Sequence, residues 1–99
     1  MADPVRDSAL RLLRAMNDLG AKGRPDVNVG LGPEVLERAG LSLGSDLDEA
    51  LEWLLREDAL RRNLAADAVA HGVRGVPPLG INFNITEHGF ALLNIHPNV

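Results

Sequence analysis

The chain predicts an α+β fold in a single domain, and three observations carry that expectation. Two stretches repeat apolar residues at helical spacing: Val5, Ala9, Leu12, Leu13, Met16 and Leu19, then Leu43, Leu47, Ala50, Leu51 and Leu54. The segment Ile81-Asn82-Phe83-Asn84-Ile85 instead alternates apolar and polar residues, as a half-buried strand does. Glycine and proline punctuate the intervals, and 99 residues suit one core but not two. The expected architecture is three main helices, a two- or three-stranded antiparallel sheet and a short C-terminal helix, all within one domain spanning residues 1–99.

Taken in order, Asp3-Pro4 opens the first helix, with Asp3 as N-cap and Pro4 where its missing N–H costs nothing. Gly20 is expected to end it, and Arg6, Arg11 and Arg14 to lie on its solvated face. A Gly- and Pro-rich connector follows, in which Val27-Asn28-Val29-Gly30-Leu31 predicts a short strand. Gly30-Leu31-Gly32 lacks the third glycine of a dinucleotide fingerprint, and no βαβ unit follows it. Pro33 starts a short second helix that Gly40 ends.

The third helix begins between Ser42 and Ser45 and runs to about Glu57. Ser45 with Asp48 three residues on resembles a capping box, and Gly44 favours the later start. Ala59-Leu60-Arg61-Arg62-Asn63-Leu64 predicts a second strand. An insertion over about residues 64–80 then carries Gly72, Gly75, Pro77, Pro78 and Gly80, and its start, Ala65 to Ala70, suits either a helical turn or a longer strand. Thr86 caps the last helix, with Glu87 in its first turn and Phe90, Leu92 and Leu93 as its apolar contacts.

Composition narrows the chemistry. Apolar residues make up 45% of the chain, ordinary for a packed core, but aromatics only 3%, so that core must be built from Leu, Val, Ile and Ala. The formal charge of −4 works against a polyanion or an acidic membrane surface, although it can hide a local basic patch. The absence of cysteine excludes disulfides, thiolate chemistry and Cys-rich zinc sites. The first seven residues lack the basic and apolar regions of a secretory signal, and no apolar run has the ~18 residues of a membrane span, so a soluble, cytoplasmic protein is expected. Asn84-Ile85-Thr86 matches a glycosylation sequon, which has no meaning without a secretory route.

Several stretches together resemble the winged helix-turn-helix family, in particular its small bacterial and phage members. Ala39-Gly40-Leu41-Ser42 resembles the family's turn. Ala50-Leu51-Glu52-Trp53-Leu54-Leu55 with Glu57-Asp58-Ala59-Leu60 is similar to the end of its third helix and the start of its wing. The run from Ile85 to Leu93 resembles its closing strand and helix, so the resemblance covers most of residues 5–94. It implies a third helix that enters the DNA major groove and a basic wing near phosphates.

The residues depart from that implication. At about 100° per residue, the face opposite the leucine stripe gathers Ser45, Asp48, Glu49, Glu52 and Arg56, with Asp46 and Trp53 at one edge. Four carboxylates against one guanidinium repel phosphates. Trp53 suits either the edge of its own core or an interface anchor, and Leu55 on the opposite flank raises the same question. His71, His88 and His96 are too scattered to spell a metal site. The hydroxyls of Ser8, Ser42, Ser45 and Thr86 have no partner pattern of a nucleophile, the carboxylates cluster on a helix face rather than in a cleft, and no phosphate-binding loop is present.

The expectation is therefore a non-enzymatic binding module without cofactor or metal. Asp46, Asp48, Glu49, Glu52 and Trp53 would contact a protein partner or a second copy in a homodimer, with no role at a membrane. The alternative is a small DNA-binding transcriptional regulator that uses Arg61, Arg62 and Arg74 from the wing, or a basic face that a dimer assembles and one chain does not show; the acidic third helix disfavours it.

Overall fold

In the computed structural model, which describes residues 3–62 and 82–96, the first helix is set by the residues that open it. The Asp3 carboxylate accepts hydrogen bonds from the backbone N–H of Val5 (3.0 Å) and Arg6 (3.2 Å), and Pro4 takes the first helical position of α1 (Pro4–Met16). Ala9, Leu12, Leu13, Ala15 and Met16 are each no more than 1% exposed, and α1 packs against both of the helices that follow. Ala15 is a core residue that the predicted stripe did not include.

The end of α1 differs from the expectation. Gly20 does not terminate it: the chain widens into one π turn, Asn17–Ala21, and stops at Lys22, which adopts the left-handed conformation (φ 50°). The wider turn shifts the helical phase, so Leu19 is 39% exposed instead of continuing the apolar stripe. Gly20 serves close approach, because a Cβ there would lie 2.8 Å from Cγ1 of Val29. Buried Asn17 closes the turn, its carbonyl accepting the Lys22 N–H and its Oδ1 the Gly23 N–H, both at 2.7 Å.

Strand β1 (Val29–Gly30) and helix α2 (Pro33–Ala39) lie within the predicted stretches, and Gly40 ends α2 in the left-handed region. Helix α3 (Ser45–Arg56) takes the later of the two expected starts, but Ser45 is its first helical residue and not its cap. Gly44 is the N-cap and no side chain caps the helix; its φ of 154° and ψ of −165° suit glycine alone. Leu43 consequently falls outside α3 and is 69% exposed, which leaves Leu47, Ala50 and Leu54 as the buried stripe and Leu51 half-buried beside it.

Strands β2 (Leu60–Arg62) and β3 (Asn82–Ile85) precede a last helix, α4 (Glu87–Leu92). The fold is thus α+β, with four helices and a three-stranded antiparallel sheet of order β1-β3-β2 among the described residues. Leu60 pairs with Ile85, Arg61 with Asn84 and Val29 with Phe83, so the apolar residues of all three strands turn to one buried cluster shared with α1 and α3. The insertion expected over 64–80, the two readings of Ala65 to Ala70, and residue Ile81 lie outside the described residues.

Helix α4 is locked to the corner between α3 and β2. The Thr86 hydroxyl caps α4 by accepting the Gly89 N–H (3.0 Å) and donates to the Asp58 carbonyl, while the Thr86 N–H donates to the carbonyl of Ala59 (3.1 Å). A Cβ at Gly89 would collide with that same Ala59 carbonyl and crowd Cγ2 of Ile85. Because the obstacle is backbone, Gly89→Ala should lower stability by about 1–3 kcal/mol, seen as an earlier urea midpoint with an unchanged slope.

Candidate functional site

The outer face of α3 is the first of two candidate surfaces. Asp46, Asp48, Glu49 and Glu52 are all exposed, and among the described residues none of their side chains makes an ion pair or a hydrogen bond. Asp46 and Asp48 lie in the first turn, where the helix dipole favours them. Glu49 and Glu52 stand further along, where that stabilisation has fallen off, so the dipole does not account for them. Arg56 sits at the opposite end, in the last turn.

Apolar flanks border this ridge. Trp53 is half-buried and packs against the core, as the core-edge reading expects. Leu55, on the other flank, is 42% exposed. At the N-terminal end of the ridge, Asp46 and Glu49 face Pro4, Val5 and Ser8 of α1 across a shallow hollow of about 220 Å³.

The second surface is an open hollow of about 740 Å³ between the sheet, the start of α4 and the connector before β1. Arg61, Arg62 and His88 line it, together with the carboxylates of Asp58 and Glu87. Arg61 is paired, its Nε 3.6 Å from Asp58. Asn84 holds one wall in place: its amide donates to the carbonyls of Pro25 (3.3 Å) and Val27 (3.1 Å) and to Oδ1 of Asn28 (3.3 Å).

Sequence reasoning missed His88 and Asn84 as neighbours of the two arginines. The register Arg61↔Asn84 creates that neighbourhood across more than twenty residues of intervening chain, and no local spacing encodes it. Arg74 and His71 lie outside the described residues, and His96 is exposed near the C-terminal end of the described chain. Ser8 is engaged by Arg11, whose Nη2 donates to its Oγ (3.3 Å), and Thr86 is occupied as a cap. Among the described residues no group of three His, Asp or Glu side chains could hold a metal ion, and no helix is long and apolar enough to cross a membrane. No family model, curated protein or solved structure matches the chain.

If the ridge has no structural duty, Glu49→Gln combined with Glu52→Gln should leave unfolding free energy within about 0.5 kcal/mol of wild type. Asn84→Ala, by contrast, should cost about 0.5–1.5 kcal/mol because it removes hydrogen bonds to part-buried carbonyls of the connector. Urea titrations followed by Trp53 emission measure both.

Proposed function

We propose that the chain is a winged-helix module that recognises protein through the outer face of α3 and catalyses no reaction. The winged-helix reading is supported by the order α1-β1-α2-α3-β2-β3, by the strand order β1-β3-β2, and by the corner Ala39 to Ser42 between α2 and α3. In that reading β2 and β3 form the base of the wing.

One observation carries the choice of partner. The helix that would enter a DNA groove presents Asp46, Asp48, Glu49 and Glu52 with no cation of its own chain neutralising them among the described residues. Phosphates brought to this face meet repulsion in place of counterion release. A protein partner with basic side chains meets complementary charge, and the half-exposed Trp53 and Leu55 supply the apolar contact at either side.

The second reading is a DNA-binding regulator that contacts phosphates through Arg61, Arg62 and Arg74 of the wing. The gathering of Arg61, Arg62 and His88 around one hollow favours it. It ranks second because Asp58 pairs with Arg61 and Glu87 lines the same hollow.

Backbone amide spectra separate the readings. The probes are a cationic helical peptide of Arg and Leu at i, i+4 spacing and a mixed-sequence duplex DNA at about 50 and about 200 mM salt. Peptide-induced shifts confined to residues 46–56, lost in Glu49→Gln/Glu52→Gln, with no response to DNA, are the expected result. DNA binding that collapses with salt, shifts Arg61, Arg62 and His88, and disappears in Arg61→Ala/Arg62→Ala would replace the first reading with the second.

A further inference from the structure

Several of the described cations of this chain are already engaged. Arg24 pairs with Asp26, Arg38 with Asp18 and Arg61 with Asp58. Arg62 is engaged, Arg56 belongs to α3 itself, and Arg11, though also without an ion pair among the described residues, is drawn toward the Ser8 hydroxyl. Of the described cations that remain, Arg6 and Arg14 stand on one helix. They lie at i and i+8 with Leu10 midway, so the three form a slanting row along α1 that starts at the flank near buried Leu13 and ends on the outer side, with Asp7 beside Leu10. Both arginines are exposed and without an ion pair among the described residues, and half-buried Leu10 is not among the side chains packed on the core.

Resting on the protein-recognition reading, we infer that the occupant of the α3 face is a second copy of this chain, docked through the Arg6-Leu10-Arg14 row of α1. Charge and length both match. The two guanidinium-bearing positions are about 12 Å apart along α1, and the ridge from Asp46 to Glu52 is about 9 Å long. Two arginines can therefore bracket the four carboxylates while Leu10 meets the apolar flank formed by Trp53 or Leu55. A symmetric contact of α3 on α3 would instead set four unneutralised carboxylates against four others, so self-association through this face requires a different surface of the second copy. The α1 row supplies it.

Two neutralised variants test the assignment by sedimentation velocity across a concentration series. Arg6→Gln/Arg14→Gln keeps the ridge and loses the row; Glu49→Gln/Glu52→Gln keeps the row and loses the ridge. Wild type should exceed the 10.6 kDa chain mass, and its apparent dissociation constant should rise at least tenfold as salt increases. Each variant alone should sediment at the chain mass. An equimolar mixture of the two should recover a 1:1 complex, because each supplies the surface that the other lacks.

Wild type that stays at the chain mass up to millimolar concentration overturns self-docking but not protein recognition, which the cationic peptide probes separately. Wild type that associates while the α1 variant associates equally well overturns the α1 row and leaves α3 facing another surface. A mixture that stays monomeric overturns the pairing of the two surfaces.

Discussion

The buried seam of α1 is the constraint on which the other elements depend. Ala9, Leu12, Leu13, Ala15 and Met16 are excluded from solvent because α2 and α3 both pack on this helix, while β1 and β3 meet the π turn that extends it. Aromatics are scarce, yet the core is not the purely aliphatic one expected: both phenylalanines, Phe83 and Phe90, and Met16 are buried among the aliphatic and alanine side chains, which pack closely only if the helices approach in one register. Small residues at Ala9, Ala15, Ala39 and Ala50 permit that approach. The buried stripe of α3 is met by this seam, and its acidic arc is left outward as a consequence. The charged face is therefore a product of apolar packing, and its carboxylates need no partner for the fold to stand.

The sheet completes the core in a different manner. Its central strand, β3, is the last of the three described strands, so β1 and β2 gain their shared neighbour only when segments distant in sequence meet. Asn84 joins strand and connector over 56–59 residues of sequence, and the Thr86 and Gly89 corner ties α4 to the end of α3.

Electrostatics divides along the same lines. The formal charge of −4 is not spread evenly, because several arginines are matched with nearby acids while α3 concentrates carboxylates without partners among the described residues. The pairs are exposed and separated by 3.6–4.0 Å, so each contributes little to stability. In the proposed protein-recognition reading, they leave Arg24, Arg38 and Arg61 already matched with acids of their own chain. That leaves an acidic ridge on one helix and a basic row on another.

Features set within a single turn of chain were legible in the sequence. Asp3-Pro4 starting α1, Pro33 and Gly40 bounding α2, and Thr86 capping α4 all act through hydrogen bonds or backbone preferences between residues at most three or four apart. The acidic arc of α3 was legible as well, since helical period alone puts Glu49 and Glu52 opposite Leu47 and Leu54. Tertiary structure decided the rest. The π turn that exposes Leu19 follows from how Asn17 and Gly20 meet the segment beyond, and Val29 in particular. Whether Trp53 is covered depends on what lies beside α3, and the meeting of Arg61, Arg62 and His88 depends on pairing between strands distant in sequence. Local codes fix where a helix begins and which residues share its face; only packing fixes its neighbours, and neighbours determine burial.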